Sequence, residues 1–173
     1  MTPPQSTKPE AWLSVSFDAG QLGRQLCWTA TEGRTNLLQT YGEFAGSLHL
    51  PKDCGLRVEV HGYGGANLRS FQILSVCLIS TPALDSLPPS PFVGDAVATA
   101  LIEDFPLCDH FVDDPHIDRR YGIVASARPL QIGNVDGAWQ ISMVMTVRID
   151  DGLEPRHRVF RFDPESQVGN GTR

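Results

Sequence analysis

Cations are in short supply in this chain: 14 Lys and Arg stand against 20 Asp and Glu, a formal net charge of -6 over 173 residues. A protein that holds nucleic acid regardless of sequence needs clustered cations to displace phosphate counterions. The densest group here is Arg156, Arg158 and Arg161, so no nucleic-acid partner is expected. Long apolar runs are missing too. None approaches the ~20 residues that span a bilayer, and the first ten residues, with three prolines, lack the apolar stretch of a secretory leader. The expectation is a cytoplasmic protein with no membrane partner. The four cysteines, Cys27, Cys54, Cys77 and Cys108, include no C-x-x-C pair, which argues against a zinc site built from them and for free thiols in a reducing compartment. No G-x-S-x-G elbow, no H-E-x-x-H and no G-x-G-x-x-G fingerprint occurs. Helix-forming runs are few, while Gly (16) and Pro (13) are plentiful, which favours strands joined by turns.

What is present is alternation. Trp139, Ile141, Met143, Met145, Val147 and Ile149 occupy every second position, with Gln140, Ser142, Val144, Thr146, Arg148 and Asp150 between them. Successive side chains of a strand point to opposite faces, so this segment has one apolar face and one mostly polar face. Asp150-Asp151-Gly152 supplies turn chemistry, and a second run ending in Phe160 and Phe162 follows, which predicts a β-hairpin over a core. Leu13, Val15 and Phe17 alternate in the same way, as do Leu56, Val58 and Val60. Residues 71–80 are apolar on both faces, which predicts a central strand with a loop or a partner on its outer side. In residues 34–46, Leu37, Leu38, Tyr41 and Phe44 have roughly helical spacing, although Gly42 and Gly46 limit any helix to about two turns, and residues 94–105 fit a helix or a strand. Residues 81–95, with four prolines, and 106–120, rich in Asp, read as long connections, and loops of that length often carry function.

These features predict an all-β chain: a single antiparallel β-sandwich, immunoglobulin-like or jelly-roll-like, of seven to nine strands with at most one or two short helices. A closed barrel is the alternative. The expected layout is a mobile tail over 1–10, one domain over 11–163 and a polar tail over 164–173.

Each candidate for chemistry has a plain structural reading beside it. His110, Asp113, Asp114 and His116 could bind a divalent metal, yet Asp in such a loop equally serves local backbone hydrogen bonds. Gly62-Tyr63-Gly64-Gly65 lacks nucleotide-loop spacing and reads as a tight turn or bulge. Cys108, beside Asp109 and His110, is the better candidate for a reactive thiol, although neighbouring carboxylates disfavour a thiolate. Cys77, in apolar surroundings, is expected to be inert. Tyr63 is the aromatic expected to be exposed, and Trp28 is ambiguous. Either one offers a stacking surface to a sugar. Trp139 belongs to the core.

The order strand, turn, Arg158-Val-Phe-Arg-Phe162, then Asp163-Pro164-Glu165, resembles the closing segment of the DP-EP family, small bacterial β-sandwich proteins. The strand-rich layout is also similar to the AidA and PixA inclusion-body proteins. The second element of the DP-EP pattern, a Glu-Pro, is absent: the tail reads Ser166-Gln-Val-Gly-Asn-Gly171. The resemblance implies a bacterial β-sandwich with no catalytic residues to carry over. The leading expectation is therefore a non-enzymatic protein acting by protein contacts or as a homo-oligomer, with no resident cofactor. A metal-binding protein or small metal-dependent enzyme using the 108–118 loop is the alternative, and a carbohydrate-binding module the second.

Overall fold

The computed structural model describes residues 9–42, 45–94 and 98–162, and every element in them is a strand. Thirteen are present: β1 (Glu10–Asp18), β2 (Cys27–Glu32), β3 (Thr35–Asn36), β4 (Ser47–Leu50), β5 (Gly55–Gly64), β6 (Ser70–Pro82), β7 (Thr99–Ile102), β8 (Leu107–Cys108), β9 (Val112–Asp114), β10 (Arg119–Ala125), β11 (Leu130–Gln131), β12 (Gly137–Asp150) and β13 (Arg156–Phe162). The excess over the expected seven to nine comes from six elements of two to four residues. No short helix forms among the described residues. Residues 35–36 and 99–102 are strands, and Gly42 takes a positive φ of 85°, a conformation that ends regular structure. The expected tails fall outside the described residues at 1–8 and 163–173, as does the Asp163-Pro164-Glu165 segment. Residues 9 and 10 belong to the domain rather than to a tail, since the Pro9 carbonyl accepts from Gly55 N at 3.2 Å and Glu10 opens β1.

The strands form two sheets and no closed barrel. The larger, seven-stranded sheet runs β3-β2-β1-β5-β10-β9, with β11 also on β5. The smaller, six-stranded sheet runs β13-β12-β6-β7, with β4 on β12 and β8 on β6. Every pairing is antiparallel except β1 with β5. That parallel pair arises because the chain leaves the larger sheet after β3. It bonds to β4 through Leu37–His49 and Gln39–Ser47, then returns as β5 beside β1. Parallel neighbours need such a crossover.

One apolar core lies between the sheets. All six inward residues of β12 are fully buried, as the alternation predicts, and Phe160 and Phe162 of β13 join them. Phe17 of β1 stacks on Phe160 at 4.9 Å and meets Phe71 of β6 edge-on at 5.3 Å, while Trp28 of β2 stacks on Phe162 at 4.8 Å. The aromatic contacts therefore bridge the two sheets. Trp139 is buried and donates from Nε1 to the Pro88 carbonyl at 3.1 Å.

Why residues 71–80 look apolar on both faces becomes clear from the register. Thr146 pairs with Ser75 and Val147 with Ile73, so Leu74 is an extra residue, a bulge that resets the alternation. Ile73 and Val76 both point inward as a result, and Cys77 and Ile79 point outward. The strand is interior to its sheet, between β12 and β7, as expected.

Gly62 and Gly64 are not turn glycines. Both lie within β5 and face the core, and a Cβ on Gly62 would stand 2.5 Å from the Phe71 ring and 2.9 Å from that of Phe17. The absent side chain is what lets the inter-sheet aromatic cluster close. The proline-rich connection is likewise packed rather than free. Its Phe92 and Ser90 are buried, Ser80 Oγ donates to the Pro89 carbonyl, and Phe92 bridges Ile132.

Candidate functional site

The Asp- and His-rich segment serves its own backbone. Asp113 and Asp114 of β9 pair with Arg120 and Arg119 of β10. Asp114 Oδ1 accepts from His116 N at 2.9 Å, a local turn bond. His110 is fully exposed and reaches only Asp109, at 3.5 Å. Among the described residues no three His, Cys, Asp or Glu side chains gather in a way that could hold a metal ion. The quartet His110, Asp113, Asp114 and His116 is thus spread along a solvated edge.

Two of the four free thiols are buried and two lie on the outer faces of the sheets. Cys108 is buried, and that burial pushes its thiol up, with Asp109 adding to the effect; Cys54 is buried and raised for the same first reason. Cys108 is therefore not the reactive cysteine. Cys77 is half-buried on the outer face of the smaller sheet, and Cys27 is exposed on the outer face of the larger one.

On that larger face lies a groove. Alternation turns Ser14, Ser16 and Asp18 of β1 outward, together with Cys27 and Thr29 of β2 and Glu59, His61 and Tyr63 of β5. The pairings Thr29–Ser14–Glu59, Cys27–Ser16–His61 and Asp18–Tyr63–Tyr121 arrange them in three cross-strand rows. Two adjoining depressions, of about 220 and 390 Å³, share Ser16, Cys27 and Tyr63. Val15 and Trp28 also border the first, but their side chains point into the core, so they offer the groove backbone. Ile117 and Arg119 close its far end.

The groove's polar groups are held in place. Glu59 Oε1 meets His61 Nε2 at 2.6 Å and accepts from Ser14 Oγ at 3.3 Å. Arg119 pairs with Asp18 at 2.9 Å, and Gln21 accepts from Asp18 N while donating to the Gly23 and Gln25 carbonyls. Tyr63 packs against Tyr121 at 5.7 Å. Tyr63 is half-buried; among the described residues the most exposed aromatic is Tyr41, at 79%. Glu59 and His61 have the look of an orienting dyad, but among the described residues neither Ser16 nor Cys27 hydrogen-bonds to the imidazole, so no nucleophile–base contact is formed.

The outer face of the smaller sheet is of another kind. Val144 stands directly opposite Cys77 on β6 and Arg161 on β13, and Cys77 stands opposite Leu101; Val159 and Ile79 occupy diagonal positions beside Val144. Leu101 is 61% exposed, Val159 44%, Ile79 38% and Val144 37%. None of the ion pairs among the described residues lies on this face.

Sequence reasoning identified the outward residues of β1 and β5 but not their meeting. Their convergence depends on the parallel pairing, which no local pattern signals. No helix among the described residues is long and apolar enough to cross a membrane. No family model matches the chain, and no curated protein or solved structure matches it.

Proposed function

We propose that this is a non-enzymatic binding protein whose larger sheet holds a neutral, polyhydroxylated ligand, a short saccharide, in the groove around Tyr63. The observation that carries this reading is the charge balance of the groove. Its cation Arg119 is already matched by Asp18, and His61 by Glu59. No surplus positive charge remains for a phosphate or sulfate, which Arg or Lys would have to meet. What remains are hydroxyls of Ser16 and Thr29, the planar Asp18–Arg119 pair and one aromatic wall. These are groups that match vicinal hydroxyls and the apolar face of a sugar ring. From Ser14 to Asp18 the floor runs about 13 Å, from the strand rise alone, room for more than one ring. The scaffold beneath it, in this reading, is an immunoglobulin-like or jelly-roll-like sandwich. Four unpaired thiols fit a reducing cytoplasm.

The test is a panel of neutral oligosaccharides presented to the purified protein, with sulfated glycans as the anionic arm. Binding of a neutral glycan, weakened about tenfold or more by Tyr63→Ala, is the expected result. That ligand should also slow alkylation of Cys27 by iodoacetamide while leaving Cys77 unaffected. No neutral binder at millimolar concentration, or binding only to sulfated glycans, overturns the reading.

A further inference from the structure

We infer that a depression on the outer face of the smaller sheet, where β8, β6 and β12 lie side by side, binds a free α-amino acid with an apolar side chain. Arg148 takes its carboxylate, Asp150 its ammonium group, and Leu107 lies against its side chain. The depression measures about 220 Å³ and is lined by Ser70, Gln72, Leu107, Arg148 and Asp150. It belongs to the other sheet from the saccharide groove, so it is a second site and not part of the first.

The bulge in β6 builds this site. Beyond Leu74 the outward residues of the strand are Ser75, Cys77 and Ile79, whereas before it they are Ser70 and Gln72. Gln72 thereby stands between Leu107 of β8 and Arg148 of β12, and Ser70 stands opposite Asp150. If Leu74 took a place in the ladder, Ser70 and Gln72 would turn toward the core. The two rows are about 7 Å apart, two residues of strand rise.

A lone exposed arginine would carry no argument. Here an arginine and an aspartate share one face, border one depression, and make no ion pair with each other or, among the described residues, with any other group. The carboxylate is engaged on its other side: Asp150 Oδ1 accepts from Gly152 N at 2.9 Å, in the turn that follows the strand, while Arg148 precedes it. Arg69, whose guanidinium lies against Gly152, does not line the depression. The saccharide groove has its charges matched in pairs, but this depression holds two opposite charges apart. A simple anion drawn to Arg148 meets Asp150, and a simple amine drawn to Asp150 meets Arg148. A molecule that carries both charges on neighbouring atoms satisfies both. Guanidinium N–H groups receive a carboxylate, and the Gln72 amide and Ser70 hydroxyl can each donate or accept. The volume is below the roughly 300 Å³ at which pockets for drug-sized ligands begin, which suits one small molecule.

The probe is L-leucine, titrated into the isotope-labelled full chain and followed by NMR. The expected result is a saturable shift at the backbone amides of Gln72, Arg148 and Asp150. N-acetyl-leucine, which lacks the ammonium group, and leucinamide, which lacks the carboxylate, should each bind about tenfold more weakly or less. Asp150→Asn keeps an acceptor for Gly152 but removes the charge, so it should erase the preference for leucine over N-acetyl-leucine. Arg148→Gln should erase the preference over leucinamide. Both changes lie on the outer face and should leave the melting profile unchanged. No saturable shift at millimolar leucine overturns the inference. So does binding that inorganic phosphate matches, binding that survives both substitutions, or binding that Tyr63→Ala abolishes, which would put the amino acid in the groove. The saccharide panel is scored at Tyr63, so the two sites fail independently.

Discussion

The two outer faces of this protein are made from the same kind of strand and differ in how their polar groups are held. On the larger sheet every outward row contains a charge or a hydroxyl, and Arg57, His61 and Arg119 are each tied to a carboxylate. On the smaller sheet the row Arg161–Val144–Cys77–Leu101 mixes one cation with three apolar groups, flanked by Ser142 and Thr146, and none of these is held by an ion pair among the described residues. Both sheets bury their inner faces equally well, so the difference is not a demand of the common core. On the larger face the polar groups are fixed by ion pairs, which is the observation the saccharide proposal rests on.

The sharpest way to separate core from face is Trp139→Ala. Trp139 is fully buried and donates to Pro88. Its loss should cost about 3–5 kcal/mol, read by chemical denaturation, and should release the 81–93 connection to proteolysis. Retained stability would mean that the two faces do not share one core. Next comes Gly62→Ala, which drives a methyl toward Phe71 and Phe17 beneath the groove. Overpacking of this kind costs about 1–3 kcal/mol. The same change should disturb ligand binding on the larger sheet before it disturbs amino-acid binding on the smaller one, and equal effects on both would erase the distinction between the faces. The smallest effect concerns the buried thiols. Burial raises Cys54 and Cys108 above their ordinary value of 9.0. The unfolded chain therefore releases their protons first, and stability should hold below pH 9 and fall as the pH rises beyond it. Cys108→Ala should flatten that alkaline loss; an unchanged slope would place the effect elsewhere. In the native state at neutral pH, Cys27 should react first, Cys77 next, and Cys54 and Cys108 last.

Legibility followed the range of the interaction concerned. β12 and β13 could be read residue by residue because alternation and a turn are local signals. β1 and β5 were equally clear as strands, yet their side-by-side parallel arrangement, and so the groove, depends on a crossover through β4 that composition does not record. Gly62 looked like a turn because glycine's usual role is conformational, whereas here the Phe71 ring occupies the space of its side chain. The apolar run of β6 was rightly placed inside a sheet, but its broken alternation comes from one unpaired residue, Leu74, visible only against the register of β12. The Asp and His segment drew attention as a metal candidate because ligands and turn formers share an alphabet. In the structure its backbone pairs with β10, and Asp114 accepts from the His116 backbone N–H.

The long partner strand β12 has a consequence for how the molecule is made. β6 ends at Pro82, and the strand that pairs along nearly all of its length does not begin until Gly137. During synthesis β6 therefore waits for more than fifty residues with one edge open and its apolar inner face uncovered. Pairings so distant along the chain form slowly, and an unpaired edge is an invitation to aggregate. By contrast β12 and β13 are joined by a short turn and can close as soon as both are free. The smaller sheet should thus assemble late and at once, when the C-terminal hairpin docks onto β6. A chain stopped before Gly137 would leave β6 without its long neighbour for good.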